Sequence, residues 1–128
     1  MHKPRQEVET FSSGASQTVR CEFHGDMAIM VNTLGPGTDQ TAFLRSLSTG
    51  SCEVPHWGYM LEGSVTVGYT DGTEETIRAG EVFHLPSGHD VIRTDEGCEF
   101  VEVSPAEGVK AIFAEATQKR GAKDQTGR

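Results

Sequence analysis

The segment from Gly50 to His89 reads GSCEVPHWGYMLEGSVTVGYTDGTEETIRAGEVFHLPSGH. Its longest apolar run, Trp57 to Tyr69, is long enough for one extended strand with an interruption near Gly63. Asp71-Gly72 follows, a two-residue turn typical of a β-hairpin. Two more turns containing Gly or Pro come before the end of the segment. The segment therefore predicts successive β-hairpins that carry a cysteine and several histidines.

Short alternating runs on both sides of this segment predict further strands. In residues 16–23, Val19, Cys21 and Phe23 alternate with polar residues, as in a half-buried strand. Further strands are predicted over residues 27–34, 73–78, 81–85, 91–94 and 98–103. Strands separated by turns about every 8–12 residues are typical of a sandwich or a barrel. We therefore predict an all-β fold, a single antiparallel β-barrel or jelly roll.

The run over residues 41–47 is compatible with two structures. Phe43, Leu44 and Leu47 fit one face of a helical turn, but the run also lies between strand-like segments. We predict that it is extended.

The chain is predicted to have one domain with short additions at both ends. The first residues are polar without a period, whereas residues after Pro105 have apolar side chains at helical spacing and Gly121 just beyond. The predicted organisation is a flexible N-terminal arm at 1–14, a β-barrel at 15–105, a C-terminal helix at 106–119 and a mobile polar tail at 120–128.

Composition excludes several classes of partner. A net charge of −8 over 128 residues argues against nucleic acid, whose phosphates require clustered Lys and Arg. No apolar run approaches the roughly 18–20 residues that span a bilayer, so no membrane partner is expected. Three cysteines at no framework spacing, and a first segment without the apolar core of a secretory signal, lead us to expect a reduced, cytoplasmic location.

The first half of the quoted segment resembles the first motif of the cupin family, G(X)5HXH(X)3–4E(X)6G. The run YMLEG, ending at Gly63, is similar to the end of that motif. Counting back, His56 stands where the family has its glutamate ligand. Cys52 and Gly50 stand where it has its two histidines.

The second cupin motif, G(X)5PXG(X)2H(X)3N, resembles the second half of the segment. Gly80, Pro86 and Gly88 match its fixed positions. The family's histidine falls at Val91, and His89 stands two residues earlier. Cupins are small β-barrels that often hold one metal ion inside, so the resemblance implies that fold and an internal metal site.

Cys52, His56 and His89 are the predicted metal ligands. Alternation along a strand places Cys52 and His56 on one face, and the resemblance places the strand of His89 beside them. A thiolate and two imidazoles suit a divalent transition metal, Zn or Fe first, with one coordination position left open. Alternatively, the cysteine is a small core residue, and the histidines are a hydrogen-bonded core residue and a loop residue. A second tier of pocket residues comprises His84, Glu62, Met60 and Val91.

The predicted fold and the predicted metal ligands are compatible with three alternative functions. The first is a metal-dependent enzyme, a dioxygenase or isomerase in the range of the resembling family, acting on a small organic molecule. The second is a non-catalytic module that binds or senses a small ligand or a metal. The third is a barrel without metal that acts through its dimer surface. Trp57, Tyr59 and Leu61 form a second apolar strand face, so we expect a homodimer.

Overall fold

A computed structural model describes the backbone of residues 1–126 and the side chains of residues 1–119. In the described residues, eight strands pair antiparallel and two α-helices are present. The strands are β1 (Thr10–Ser13), β2 (Gln17–His24), β3 (Met27–Leu34), β4 (His56–Tyr69), β5 (Glu74–Arg78), β6 (Val82–Leu85), β7 (His89–Arg93) and β8 (Cys98–Pro105). The helices are α1 (Thr41–Arg45) and α2 (Ala106–Thr126). The predicted all-β, jelly-roll-like fold with a C-terminal helix is confirmed.

Strand β4 is the centre of the sheet arrangement. Its first half pairs with β8 on one side and β6 on the other, and β8 continues through β3 and β2 to β1. Its second half pairs with β5 and β7. One strand of 14 residues therefore contributes to both walls that enclose the core.

Gly63 lies where β4 passes from one set of partners to the other. The pairing of β4 with β8 shifts register between Met60 and Glu62, and Gly63 follows with φ of 72°. A Cβ at this position would overlap the carbonyl oxygen of Gly97. Only glycine combines a positive φ with so close an approach of two backbones, which explains the interruption in the strand pattern.

The prediction that residues 41–47 are extended is wrong, since residues 41–45 form helix α1. Asp39 Oδ1 accepts a hydrogen bond of 2.9 Å from the Thr41 backbone N–H, which satisfies a donor at the helix start. Leu44 and Leu47 are buried in the core. The helical spacing of these apolar side chains was therefore the correct signal.

The predicted flexible arm at residues 1–14 contains the short strand β1. This strand pairs with β2, and the Arg20 guanidinium donates to the Val8 carbonyl and the Thr10 hydroxyl. Val8 itself is buried. The sequence of the arm does not predict β1 because this strand has only four residues and lies at the edge of the sheet, paired with β2.

Helix α2 begins at Ala106, as predicted, and its backbone continues past residue 119 to Thr126. Much of the predicted polar tail at 120–128 is therefore helical, and residues 127–128 lie outside the described residues. Val109 is buried, and the Phe113 ring stacks on Phe11 with centroids 3.8 Å apart. Helix α2 therefore packs against the barrel next to β1. Neither helix in the described chain is both long and apolar enough to cross a membrane.

Candidate metal centre

The three predicted ligands come together in the buried interior of the barrel. Cys52 forms a β-bridge with His89: its N–H donates to the His89 carbonyl at 2.8 Å, and its carbonyl accepts from the Gly88 N–H at 2.9 Å. His56, four residues after the cysteine, is the first residue of β4. The side chains are buried, with 4% exposure at Cys52, 8% at His56 and 1% at His89.

The ligand atoms of these residues have a spacing that fits one metal ion. One atom from each of Cys52, His56 and His89 lies within 4.8 Å of the other two. The Cys52 Sγ to His56 Nε2 distance is 3.7 Å. Tetrahedral zinc with ordinary bond lengths would hold a sulfur and a nitrogen about 3.6 Å apart. The donor set is a thiol and two imidazoles, which is the chemistry of a zinc or iron site rather than a calcium or magnesium site.

Both imidazoles are held by an oxygen atom at Nδ1. The Nδ1 of His56 lies 2.5 Å from the Ser104 hydroxyl oxygen, and the Nδ1–H of His89 donates to the Pro86 carbonyl at 3.1 Å. These bonds leave Nε2 of each ring available to a metal. Metal-bound histidines generally have such a partner on the second nitrogen, because it fixes the tautomer and the ring orientation.

Burial sets the protonation of the three ligands. It lowers the pKa of His56 to about 4 and, together with the nearby charge of His56, also lowers the pKa of His89. Burial raises the pKa of the Cys52 thiol to about 11. At pH 7 the imidazoles are therefore neutral and ready to bind, whereas the thiol must lose its proton when a metal arrives.

Glu102 is a fourth polar residue of the site that the sequence analysis missed. It is buried on β8, its Oε1 accepts a hydrogen bond of 3.3 Å from the Asn32 amide, and its Oε2 lies 3.9 Å from His56 Nδ1. Burial raises the pKa of this carboxyl to about 7. The available signal was its alternation with inward-facing Phe100 and Ser104 in a strand that the sequence did identify.

The predicted second tier of pocket residues lies partly inside the barrel and partly on its outer surface. Met60 is fully buried and lines the cavity beside the metal centre. His84 and Glu62 are exposed, and the His84 ring stacks on Trp57 with centroids 5.0 Å apart. Including these two in the pocket was wrong, because they stand on the outer face of their strands.

Val91 does not line the cavity either. It is buried against the backbone of Gly68, whereas its neighbour Ile92 lines the cavity. The pairing of β4 with β7 shifts register between Gly68 and Tyr69, so His89 and Ile92, rather than His89 and Val91, face inward. The position where the cupin motif has its histidine therefore cannot supply a ligand here.

A cavity of about 450 Å³ adjoins the metal centre. Strands of both walls border it, and α1 and α2 complete its sides. Its walls are mostly apolar, with side chains that include Met30, Met60, Val65, Phe83 and Phe100. The volume lies in the range of pockets that bind small organic ligands.

No family model matches the sequence, and no curated protein matches it. The structure is similar to Bacillus subtilis oxalate decarboxylase, with a TM-score of 0.57 and 20% identity for one variant. A second structure of that enzyme, studied for its Mn(II) centres, has a TM-score of 0.58 and 23% identity. Both likenesses cover 78% of this chain and 28% of the decarboxylase, so the chain spans little more than a quarter of that protein.

A protein of unknown function from Rhizobium leguminosarum is also similar, with a TM-score of 0.56 and 24% identity. That likeness covers 73% of this chain and 84% of the Rhizobium protein, so the two have comparable lengths. Oxalate decarboxylase is a cupin. The paired sequence motifs and the structural likeness therefore agree: this chain has a cupin-like fold.

Proposed function

We propose that this chain holds one divalent transition metal, zinc or iron, at Cys52, His56 and His89, and that it binds or acts on a small organic molecule in the adjoining cavity. The observation that carries this proposal is the pair of histidines whose Nδ1 atoms are bound to oxygen, with the buried Cys52 sulfur 3.7 Å from Nε2 of His56. A core without a metal function has no need to collect three such donors within 4.8 Å.

When bound, a metal would supply a Lewis acid or a redox centre with an open position for an oxygen atom of the ligand. The protein contributes the rest. Ser104 and the Pro86 carbonyl orient the two imidazoles, and the mostly apolar cavity walls surround the site. Glu102, held by Asn32, is a carboxyl group beside the site that can accept or donate a proton.

Within this function we favour an enzyme of the dioxygenase or isomerase class over a sensor. The reason is Glu102: a module that only binds a metal has no need for a buried carboxyl that faces the ligand cavity without lying among the three grouped ligands. The substrate of the similar decarboxylase is not carried over, since the likeness concerns the fold. Turnover of a cavity ligand by the metal-loaded protein, lost in Glu102→Gln with metal retained, would support the enzyme over the sensor.

Metal content tests the metal site itself. The purified chain is dialysed against Zn²⁺ or, without oxygen, Fe²⁺, freed of loose metal and analysed for metal per chain. We expect about one equivalent in the unaltered protein and large losses in Cys52→Ser, His56→Ala and His89→Ala. Cys21→Ser and His84→Ala are matched controls, because Cys21 is another buried cysteine and His84 an exposed histidine outside the cluster. A folded, unaltered protein that retains no metal would refute the proposal.

A further inference from the structure

The residues that line the cavity indicate which kind of ligand it can bind, independently of the metal centre. Nineteen of its 28 lining residues are apolar, counting the cysteine, and they come from both walls of the barrel and both helices. Phe83 and Phe100 meet edge to face with centroids 5.9 Å apart, so part of this surface is aromatic. An apolar wall of this extent favours a ligand with an apolar body, because burial removes its surface from water.

Polar groups occur at two separate places on the lining. The inner group is buried and consists of the metal centre with Asn32 and Glu102. The outer group is partly or fully exposed and therefore marks the rim. Its residues are Ser12, Gln17, Asp39, Gln40 and Lys119. The amide of Gln40 donates to the side-chain oxygen of Gln17 at 2.9 Å, so this part of the rim already satisfies some of its own hydrogen bonds.

Charge on the lining is unfavourable to ligands with several anionic groups. Among the side chains of residues 1–119, the lining contains two carboxyl groups, Asp39 and Glu102, and one lysine, Lys119. Lys119 is exposed at the rim. A second carboxylate inside the cavity would therefore lose its hydration without a cationic partner, which is costly in an apolar environment.

We propose that the ligand is a mostly apolar molecule with a single oxygen-bearing head group, and that molecules anionic at both ends are rejected. The head group is directed to Cys52, His56 and His89, and the apolar body occupies the cavity walls. The placement of the head group rests on the proposed metal function. The preference for an apolar body and the rejection of a second anionic end rest on the lining alone.

Titration calorimetry with matched straight-chain acids tests the proposal. The probes are octanoate, suberate (the eight-carbon diacid) and butyrate, each with the Zn²⁺-loaded and the metal-free protein. We expect octanoate to bind at least tenfold more tightly than suberate. We also expect the affinity to rise by about two- to fourfold for each methylene between butyrate and octanoate, as burial of apolar surface predicts. Zinc should strengthen octanoate binding at least tenfold.

Two variants with added cations separate the cavity from the surface. Ile112→Arg places a cation in the lining of α2, whereas Thr117→Arg places the same charge on an exposed position of that helix. Ile112→Arg should shift the suberate-to-octanoate affinity ratio at least tenfold towards suberate, and Thr117→Arg should leave it unchanged. If Ile112→Arg does not fold, the ratio measured on the unaltered protein decides the question.

Each possible result of these experiments supports or contradicts a specific part of the proposal. Suberate binding as tightly as octanoate, the same affinity for butyrate and octanoate, or no binding of any probe at millimolar concentration would overturn the proposal. Octanoate binding that is lost in Lys119→Gln and indifferent to zinc would overturn the placement of the head group. A protein that binds octanoate selectively but never binds zinc would refute the metal function while the preference for an apolar, singly anionic ligand would stand.

Discussion

The imidazole Nδ1 of His56 lies 2.5 Å from the hydroxyl oxygen of Ser104, and both residues are buried. Ser104 is on β8, and β8 pairs with the first half of β4 so that the serine meets the first residue of that strand. The hydroxyl can accept from Nδ1–H or donate to an Nδ1 lone pair, and a metal at Nε2 requires the tautomer in which Nδ1 carries the proton. With Nδ1 as the donor, Nε2 is the lone-pair nitrogen that faces the Cys52 sulfur 3.7 Å away.

Replacing Ser104 with alanine should therefore weaken metal binding without removing a ligand. Outer partners of metal-bound histidines typically contribute about 10- to 100-fold in affinity, and we expect a loss in that range for zinc. The measurement is competition with a chelating dye. Ser87→Ala is the control, since this exposed serine bonds to the Glu53 carbonyl outside the cluster and should leave the affinity unchanged. An unchanged zinc affinity in folded Ser104→Ala would show that the hydroxyl does not position His56.

Glu102 should make the stability of the metal-free protein depend on pH. Its folded-state pKa, about 7, is above the ordinary value of 4.5. The folded protein thus retains a proton that the unfolded chain releases, and this stabilisation is complete below pH 4.5 and lost as the pH rises to 7. Glu102→Gln, which resembles the protonated carboxyl, should gain roughly 2–3 kcal/mol in free energy of unfolding over the unaltered protein between pH 5 and pH 8.

Urea unfolding of both metal-free proteins at the two pH values measures this difference. The histidines act in the opposite direction: the lowered pKa values of His56 and His89 give stability above pH 6.5 that is lost as the pH falls. They are present in both proteins, so their effect largely cancels. Glu62→Gln is the control, because Glu62 is exposed. A constant difference in stability between pH 5 and pH 8 would contradict the assignment of Glu102 as a buried, proton-retaining group.

Most of the fold could be predicted because each of its turns and strands is indicated by a pattern within a few neighbouring residues. Asp71-Gly72 forms the turn between β4 and β5, with φ of 90° at the glycine, and alternation identified the strands of the barrel. The exceptions have equally local reasons. Helix α1 is a single short turn whose apolar spacing fits two structures, and β1 has four residues and depends on its pairing with β2.

The candidate site was predictable in part. The cupin motifs led to Cys52, His56 and His89, which the structure brings together. The role of Val91 depended on a register shift against Gly68, and that shift is a property of two paired strands rather than of one sequence. Residues whose direction depends on a bulge cannot be assigned from alternation alone.

The outer face of the sheet around β4 remains the predicted dimer surface. Trp57 and Tyr59 are each 43% exposed, and Val82, which pairs with Tyr59, is 80% exposed. Val103, opposite Trp57 on β8, is 36% exposed and extends the patch to the next strand. Four large apolar side chains on one face form the kind of patch that a soluble protein usually covers with a partner.

Tyr59→Lys should weaken self-association, because it places a charge in a surface that loses its water on pairing. We expect the unaltered chain to sediment as a dimer at micromolar concentration, and the variant to dissociate at concentrations at least tenfold higher. Thr117→Lys, which adds the same charge at an exposed position on α2, should leave the dimer intact. Sedimentation velocity over a hundredfold range of concentration makes the comparison. An unaltered chain that is monomeric throughout, or a Tyr59→Lys variant that associates as well as Thr117→Lys, would mean that the patch of Trp57, Tyr59, Val82 and Val103 is not where two copies meet.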